Sequence, residues 1–240
     1  MQLTPEILAL GLIWYAVFLF STTCHEASHA LVAKLGGDLT AFHGGQVTLN
    51  PAPHIRRETV GMVVVPILSY LLGGGMIGWA SAPYDPYWQQ RYPRRAALMS
   101  LAGPGANFAL AIIAAIGIHI GIGAGVFQSP SVATYTRVTE AIDPDGSNLV
   151  TFAALTLSVL FFENVLLGTF NLLPMPPLDG GTGVTILMSE RTALRFLDFI
   201  RQPGFQMAGM FVAWFLFGRL FNPIFTFALN LLYPGSHYGE

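Results

Sequence analysis

The sequence predicts an all-α polytopic membrane protein with four to five transmembrane helices and a short β-hairpin or re-entrant element after the first helix. One observation is composition: 53% of the residues are hydrophobic and 10% are charged, whereas about a quarter of the residues in soluble domains are charged. The other is a set of apolar segments, each near the ~20 residues that a spanning helix needs. These segments cover residues 7–34, 60–80, 97–124, 149–173 and 204–232.

Segment 60–80 is the least regular of the five. Pro66 and the run Gly73-Gly74-Gly75 would break a helix twice. Broken backbone at membrane depth is tolerated only where it is buried in protein or lines a watery cavity. We therefore predict that this segment is re-entrant, so that the chain enters and leaves the membrane on the same side.

The distribution of basic residues favours the same topology. With a re-entrant 60–80, Arg137 stands alone on one face, and the other face carries nine basic residues. The positive-inside rule makes the richer face cytoplasmic and places the N-terminus outside. The nine are Lys34, Arg56, Arg57, Arg91, Arg94, Arg95, Arg191, Arg195 and Arg201.

Two loops carry further local signals. Leu39–Phe42 and Gln46–Leu49 flank Gly44-Gly45, a pattern that predicts a β-hairpin, although an ordinary surface loop explains it equally well. In the polar loop 128–148, Asp143-Pro144-Asp145-Gly146 is typical of a turn.

The first apolar segment contains His25-Glu26-Ala27-Ser28-His29, an HExxH pattern. Positions i and i+4 share one helix face, so both imidazoles can reach one metal ion, and Glu26 can hold a water beside it as general base. Ionisable side chains inside a bilayer are costly and are functional candidates. The pattern indicates zinc-hydrolase chemistry. Cys24 is a weaker fourth ligand, because neighbouring residues point in different directions on a helix.

A catalytic zinc ion usually takes three protein ligands, so one more is needed. The remaining histidines, His43, His54, His119 and His237, show no ligand spacing. Asp179 is the better candidate, because it ends the Pro-rich stretch 171–179 directly after an apolar segment. A carboxylate there needs a cation or water, or it caps the next helix.

Together these motifs resemble the site-2 protease family of intramembrane zinc metalloproteases. The resemblance rests on HExxH at 25–29, on Asn171-Leu172-Leu173-Pro174 with Leu178-Asp179-Gly180, and on Gly103-Pro104-Gly105-Ala106-Asn107 between them. Gly78-Trp79-Ala80 and Pro93-Arg94-Arg95 are similar to compact members that carry neither a PDZ nor a CBS domain. We expect one domain over residues 1–240, with a catalytic core at about 7–200 and a C-terminal helix at 204–232.

The resemblance implies a role for each matching residue. His25, His29 and Asp179 match the ligands of one Zn²⁺ per chain, and Glu26 matches the catalytic base. Asn171 and Asn107 match substrate-binding or site-facing positions. The predicted hairpin corresponds to a membrane-associated β element that pairs with an unwound substrate strand, which is physically sensible as β-augmentation.

Two further residues are accessory candidates with open alternatives. His54 stands in His54-Ile55-Arg56-Arg57, where compact relatives often read His-Ile-Asp-Pro, and this departure favours an interfacial histidine over an accessory role. Glu163 lies within the fourth apolar segment. It either lines the substrate path or is protonated and hydrogen-bonded to a neighbouring helix.

We therefore expect an intramembrane zinc metalloprotease that cleaves in or near transmembrane helices of membrane proteins. The partners would be such a substrate and the lipid bilayer of a prokaryotic plasma (inner) membrane, with the active site towards the cytoplasm. The net charge of −2 argues against a nucleic-acid partner. Rival interpretations are a membrane metal transporter, an inactive family member that only binds, and a protease that uses Glu163 as its third ligand.

Overall fold

In the computed structural model, residues 4–73 and 75–239 are described. Within these ranges, four helices are long and apolar enough to cross a membrane. They are α1 (Pro5–Leu35), α6 (Pro93–Gly123), α7 (Asn148–Asn171) and α10 (Pro203–Leu232). The predicted all-α polytopic fold is confirmed, and these helices match four of the five predicted apolar segments.

Shorter elements connect the four long helices. Six of them are helical: α2 (Thr40–His43), α3 (Ala52–Arg57), α4 (Val65–Gly73) with a π-helical turn before it (Val60–Val64), α5 (Pro86–Arg91), α8 (Asp179–Gly183) with a 3₁₀ turn after it (Val184–Leu187), and α9 (Glu190–Ile200). Strands β1 (Phe127–Gln128) and β2 (Glu140–Ala141) pair antiparallel, with Phe127 opposite Ala141.

Helix α1 carries the residues that begin and end a long helix. The Thr4 side chain accepts a hydrogen bond from the Ile7 N–H, and Pro5 occupies the first helical position, where its missing N–H costs nothing. Glu6 lies in the first turn and Lys34 in the last, each matching the sign of the helix dipole. The whole apolar run, including the HExxH stretch, therefore lies in one continuous helix.

Helices α1, α6 and α7 form the core that holds the site. Helix α6 packs against both α1 and α7, and α1 also contacts α7. Helix α10 joins this group through α7, where the Phe162 ring meets the rings of Phe221 and Phe225 edge-on with centroids 5.5 and 5.1 Å apart. Such edge-to-face pairs add about 0.5–1.5 kcal/mol each to the burial of their surface.

Segment 60–80 doubles back on itself, which is the geometry that the predicted re-entrant segment requires. Its helical part reaches the far end of α1, where the Tyr70 hydroxyl donates to the Ile7 carbonyl at 2.7 Å. The chain then returns without helix, and the Trp79 N–H donates to the Gly61 carbonyl at 3.1 Å. At the mouth, the Ser81 hydroxyl donates to Glu58 at 2.5 Å. Both ends of the segment therefore lie on the same side.

The β-hairpin predicted at residues 39–49 is wrong. The chain forms α2 there instead, because the Asp38 carboxylate accepts hydrogen bonds from the Thr40 N–H at 2.9 Å and hydroxyl at 2.6 Å. A local bond of this kind, from a side chain to the backbone two residues on, offers the backbone an alternative to strand pairing. The two-stranded sheet lies in the loop between α6 and α7, where the predicted turn at Asp143–Gly146 also occurs, with Gly146 N–H donating to the Asp143 carbonyl.

Candidate metal centre

Three potential metal ligands meet on the inner side of α1. The Nε2 atoms of His25 and His29 are 3.0 Å apart. One carboxylate oxygen of Asp179 lies 3.0 Å from the first and 3.2 Å from the second. The structure thus brings together the three residues that the sequence selected as ligands, although 154 positions separate His25 from Asp179.

Hydrogen bonds on the far side of each imidazole fix which nitrogen faces the cluster. The Nδ1 of His29 donates to the Met99 carbonyl at 2.7 Å, and the Nδ1 of His25 donates to the Asn107 side-chain oxygen at 2.6 Å. Each Nε2 is then left with a lone pair. Partners of this kind orient metal-binding histidines and raise their basicity.

The Asn107 partner is itself held in a buried polar chain. Its amide nitrogen donates to the Asn164 side-chain oxygen at 2.9 Å. The Asn164 amide in turn donates to the Ser21 hydroxyl at 2.8 Å and to the Leu160 carbonyl at 2.9 Å. This series of hydrogen bonds connects α6 to α7, and α7 to α1 at Ser21, one turn before His25. It holds the His25 ring in one orientation.

Asp179 reaches the cluster because the chain after α7 folds back towards α6. The Ser100 hydroxyl of α6 donates to the Asp179 backbone carbonyl at 2.9 Å. The following Gly180 is fully enclosed, and a Cβ there would overlap the carbonyl oxygens of Leu172 and Leu173. In the Leu-Asp-Gly motif, the aspartate therefore supplies the carboxylate. Glycine follows because no residue with a side chain could come so close to these carbonyl groups.

The Gly103–Asn107 motif has a similar explanation. Gly103 faces the two histidines, and a Cβ at this position would overlap the Nε2 atoms of both. Asn107, four residues later, lies on the same face of α6 and supports His25. The motif thus clears space beside the cluster with one residue and orients a ligand with the other.

Glu26 occupies the position that the HExxH pattern assigns to a general base. It is buried, and its Oε2 atom has no hydrogen-bond partner among the described residues. A buried carboxylate oxygen without a partner costs several kcal/mol. This cost is relieved only when a donor such as water enters the site.

The residues present fit a zinc ion. Two imidazole nitrogens and a carboxylate oxygen converge. With each Nδ1 proton directed to its outer partner, a cation among these three atoms makes the arrangement favourable. Their mutual distances of 3.0–3.2 Å approach the roughly 3.3 Å edge of a tetrahedron around an ion with bonds of about 2.0 Å. Three protein ligands leave the fourth position open, as in catalytic rather than structural sites.

Comparison with known proteins agrees with this donor set. The family model described as "Peptidase family M50" matches residues 13–216. The chain belongs to Peptidase family M50. The predicted site-2 protease resemblance is confirmed, and the M50 match with the four apolar helices makes this an integral membrane protein.

Two M50 relatives carry names that state an activity. The Bacillus subtilis protein "Putative zinc metalloprotease YwhC" is 29% identical over 189 residues, which cover 75% of this chain and 74% of that protein. The Mycolicibacterium smegmatis protein "Putative zinc metalloprotease Rip2" is 29% identical over 165 residues, 69% of this chain and 53% of that protein. The chain thus spans about half the length of the second relative. No solved structure gives a significant match.

The other predicted site residues lie outside the cluster. Asn107 is fully buried and contacts His25 and Asn164, so the structure places it as a support for a ligand rather than open to a substrate. Asn171 ends α7, and its amide nitrogen donates to the Leu167 carbonyl at 3.0 Å. Its substrate-binding role stays a prediction.

The two accessory candidates also have defined positions. His54 is fully buried in α3, and its Nε2 contacts the Thr48 carbonyl at 3.2 Å, away from the cluster. Its place at the membrane interface stays a prediction. Glu163 is not a ligand, which removes the rival interpretation that used it as one. It is buried, and neither of its oxygens has a partner among the described residues. The predicted hydrogen bond to a neighbouring helix is therefore not found.

Sequence reasoning missed Asn164, Ser21 and Met99. Asn164 is a polar residue inside an apolar helix and could have been selected on that ground alone. Ser21 lies one turn before His25, but serine is common in membrane helices and gives no specific signal. Met99 contributes only its backbone carbonyl, which no side-chain pattern can reveal.

Proposed function

We propose that the protein is an intramembrane zinc metalloprotease that hydrolyses peptide bonds in or near transmembrane segments of membrane protein substrates. The observation that carries the proposal is the convergence of His25, His29 and Asp179 between apolar helices, with Glu26 beside them. One zinc ion per chain would fit this single cluster. The partners are a substrate with a transmembrane helix and the surrounding lipid.

The chemistry divides between the metal and the protein. A bound zinc ion supplies Lewis acidity, which makes water more acidic and polarises a carbonyl group. Glu26 accepts the proton of the attacking water and then donates it to the leaving nitrogen, as a general base and acid. Asn107 and the Met99 carbonyl hold the two imidazoles in the tautomer that binds metal. The buried walls around α1 exclude bulk water.

Glu26 also separates this proposal from a metal transporter or a binding protein. Neither of those needs a buried carboxylate without a partner next to two ligands. We expect Glu26→Gln to retain zinc and to lose hydrolysis at least about a hundredfold, because glutamine has the same shape but cannot accept the proton.

The measurement is cleavage of a membrane reporter in proteoliposomes, with zinc content determined on the same samples. Glu190→Gln, an exposed position in the first turn of α9, is the matched control and should cleave like the wild type. Wild-type cleavage by Glu26→Gln would contradict the proposed mechanism. Loss of zinc in that variant would indicate that Glu26 is a metal ligand rather than the general base.

We further propose that the metal centre lies towards the cytoplasmic side of a prokaryotic plasma membrane. Arg57, Arg95 and Arg201 support this, because their contacts with Ser81, Gly36 and Gln89 gather them at the end of the molecule where α1 finishes. Arg137 lies in the loop at the other end, paired with Glu140. Such asymmetry orients membrane proteins with the basic end inside.

Cysteine labelling in intact cells tests this orientation. In a background with Cys24 replaced by serine, cysteines at positions 55 and 90 should be labelled only by reagents that enter the cytoplasm. A cysteine at position 145, in the loop that holds Arg137, is the matched control and should be labelled from outside. Labelling of positions 55 and 90 from outside would reverse the orientation.

A further inference from the structure

A cavity of about 350 Å³ borders α1 on the N-terminal side of the HExxH stretch. It is bordered by α1, the turn of the re-entrant segment, α7 and α10. Its walls are almost entirely apolar and aromatic, which suits the side chains of a membrane segment. The wall residues include Phe18, Phe162, Leu166, Phe170, Trp214 and Phe217.

Two wall residues do not fit this apolar character. Glu163 is 3% exposed, and both of its carboxylate oxygens have no hydrogen-bond partner among the described residues. Trp14 is 2% exposed, and its indole N–H also has no partner there. Unpartnered buried polar groups cost about 1–3 kcal/mol each, and more for a charged group. Both residues line the same cavity, and a ligand there could supply the partners that the described residues do not.

The cavity is close enough to the metal centre to hold part of the same substrate. Asn164, the neighbour of Glu163, donates to Ser21, which lies one helical turn before His25. From Phe18 on the cavity wall to His25, α1 rises about 10 Å. An extended peptide covers that distance in about three residues. A substrate side chain in the cavity would therefore belong to a residue about three positions from the bond that is cut.

The unpartnered groups also define the chemistry of that side chain. Glu163 offers oxygens that accept hydrogen bonds, whereas Trp14 offers an N–H that donates one. A lysine supplies donors alone and leaves the indole unsatisfied, and an ionised aspartate supplies acceptors alone and leaves Glu163 without a donor. A carboxamide has an NH₂ group for Glu163 and a carbonyl for Trp14.

We propose that Glu163 and Trp14 form a specificity subsite that recognises an asparagine or glutamine side chain in the substrate's membrane segment, about three residues from the scissile bond. This inference rests on the proposed protease function. Glu163 acts by binding and takes no part in the proton transfers of Glu26. The subsite explains why an apolar helix buries a carboxylate that neither binds the metal nor pairs with a neighbouring helix.

The test uses the full-length zinc protein in proteoliposomes and a single-pass reporter with a leucine-rich membrane segment. Asparagine replaces leucine at one position at a time, and the ratio of the two cleavage rates is measured. In the wild type, asparagine should raise the rate about tenfold at one position, as expected for one or two buried hydrogen bonds. Glu163→Leu should bring this ratio to about one, and Trp14→Phe should lower it a few-fold.

Two variants keep the test specific. Glu163→Gln retains an acceptor and a donor and should keep part of the preference. Leu167→Met changes the same wall without a polar group and should keep all of it. A Glu163→Leu variant that cleaves both reporters more slowly at an unchanged ratio would show a structural role and overturn the subsite. A stronger preference for serine than for asparagine would overturn the carboxamide assignment.

A binding measurement separates this inference from the proposed function. The Glu26→Gln protein in nanodiscs is titrated with synthetic membrane peptides that carry asparagine or leucine at each position in turn. The asparagine peptide should bind about tenfold more tightly at one position, and the added Glu163→Leu change should abolish the difference. If the wild type cleaves no reporter, the protease proposal fails while this ratio still decides the subsite. Equal binding of all peptides would overturn the subsite alone.

Discussion

Two polar clusters lie along α1, and they are built in opposite ways. In the metal centre, the Nδ1 of each histidine has a hydrogen-bond partner, and the support continues through Asn107 to Asn164 and Ser21. In the cavity, about two to three turns earlier along α1, Glu163 and Trp14 have polar atoms without any partner among the described residues. The same part of the fold thus carries one saturated network of ligand supports and one unsaturated pair.

The difference teaches what each cluster is prepared to bind. A metal site must hold its ligands in place before the ion arrives, so every supporting hydrogen bond is made within the protein. A substrate subsite must keep its hydrogen-bonding capacity for the ligand, and the folded protein bears that cost. Changes in the saturated network should therefore affect zinc affinity, and changes in the unsaturated pair should affect the choice of substrate.

Removal of a metal ligand has the largest expected effect. Zinc binding of about 10–16 kcal/mol at four-ligand sites implies about 2.5–4 kcal/mol per ligand, so loss of one ligand weakens binding roughly a hundred- to a thousandfold. Asp179→Ala should therefore lower zinc affinity as strongly as His25→Ala or His29→Ala and abolish cleavage. Titration against a chelator of known affinity measures the change.

Asp198→Ala is the matched control for this prediction. Asp198 is an exposed carboxylate on α9, outside the cluster, and its loss should leave zinc affinity unaltered. Full zinc occupancy and undiminished proteolysis in Asp179→Ala would remove Asp179 from the site. The saturated cluster would then not be the metal centre, and its comparison with the cavity would no longer hold.

The ligands of the saturated cluster could be found from sequence because they follow local rules. The i, i+4 spacing of His25 and His29 specifies a shared face whatever the rest of the fold does. Asp179 was harder: spacing within the chain could not separate a ligand from a helix cap, and only the resemblance to a known family selected it. The re-entrant segment was predictable because Pro66 and the glycines conflict with a spanning helix at the level of the backbone.

The parts that could not be predicted depend on tertiary contacts. The hairpin at 39–49 was wrong because one Asp38 carboxylate, bonding two groups of Thr40, outweighed a glycine pair that also suits a turn. Sequence assigned Asn107 to substrate binding, whereas the structure shows it supporting a ligand. The direction of its side chain is set by the packing of α6 against α1 and α7, which the sequence does not show. The unsatisfied state of Glu163 is likewise a property of its neighbours. The sequence shows that a carboxylate is present, but only the fold shows that no described residue forms a hydrogen bond with it.

The smallest of these effects should come from the support of His25, and it sharpens the comparison most. Asn107→Leu keeps the branched shape of the side chain but removes the acceptor for the His25 Nδ1 and the donor for Asn164. Loss of such an outer partner typically weakens metal binding about 10- to 100-fold.

Ser158→Ala is the control, because that equally buried hydroxyl accepts hydrogen bonds from the Val138 and Thr139 N–H groups, away from the metal centre. It should destabilise the fold without altering zinc affinity, whereas Asn107→Leu should lower zinc affinity while the asparagine-to-leucine ratio of cleavage rates, measured at saturating zinc, stays the same. If Asn107→Leu changed that ratio instead of zinc affinity, Asn107 would belong to the substrate subsite, and the division between the two clusters would have to be redrawn.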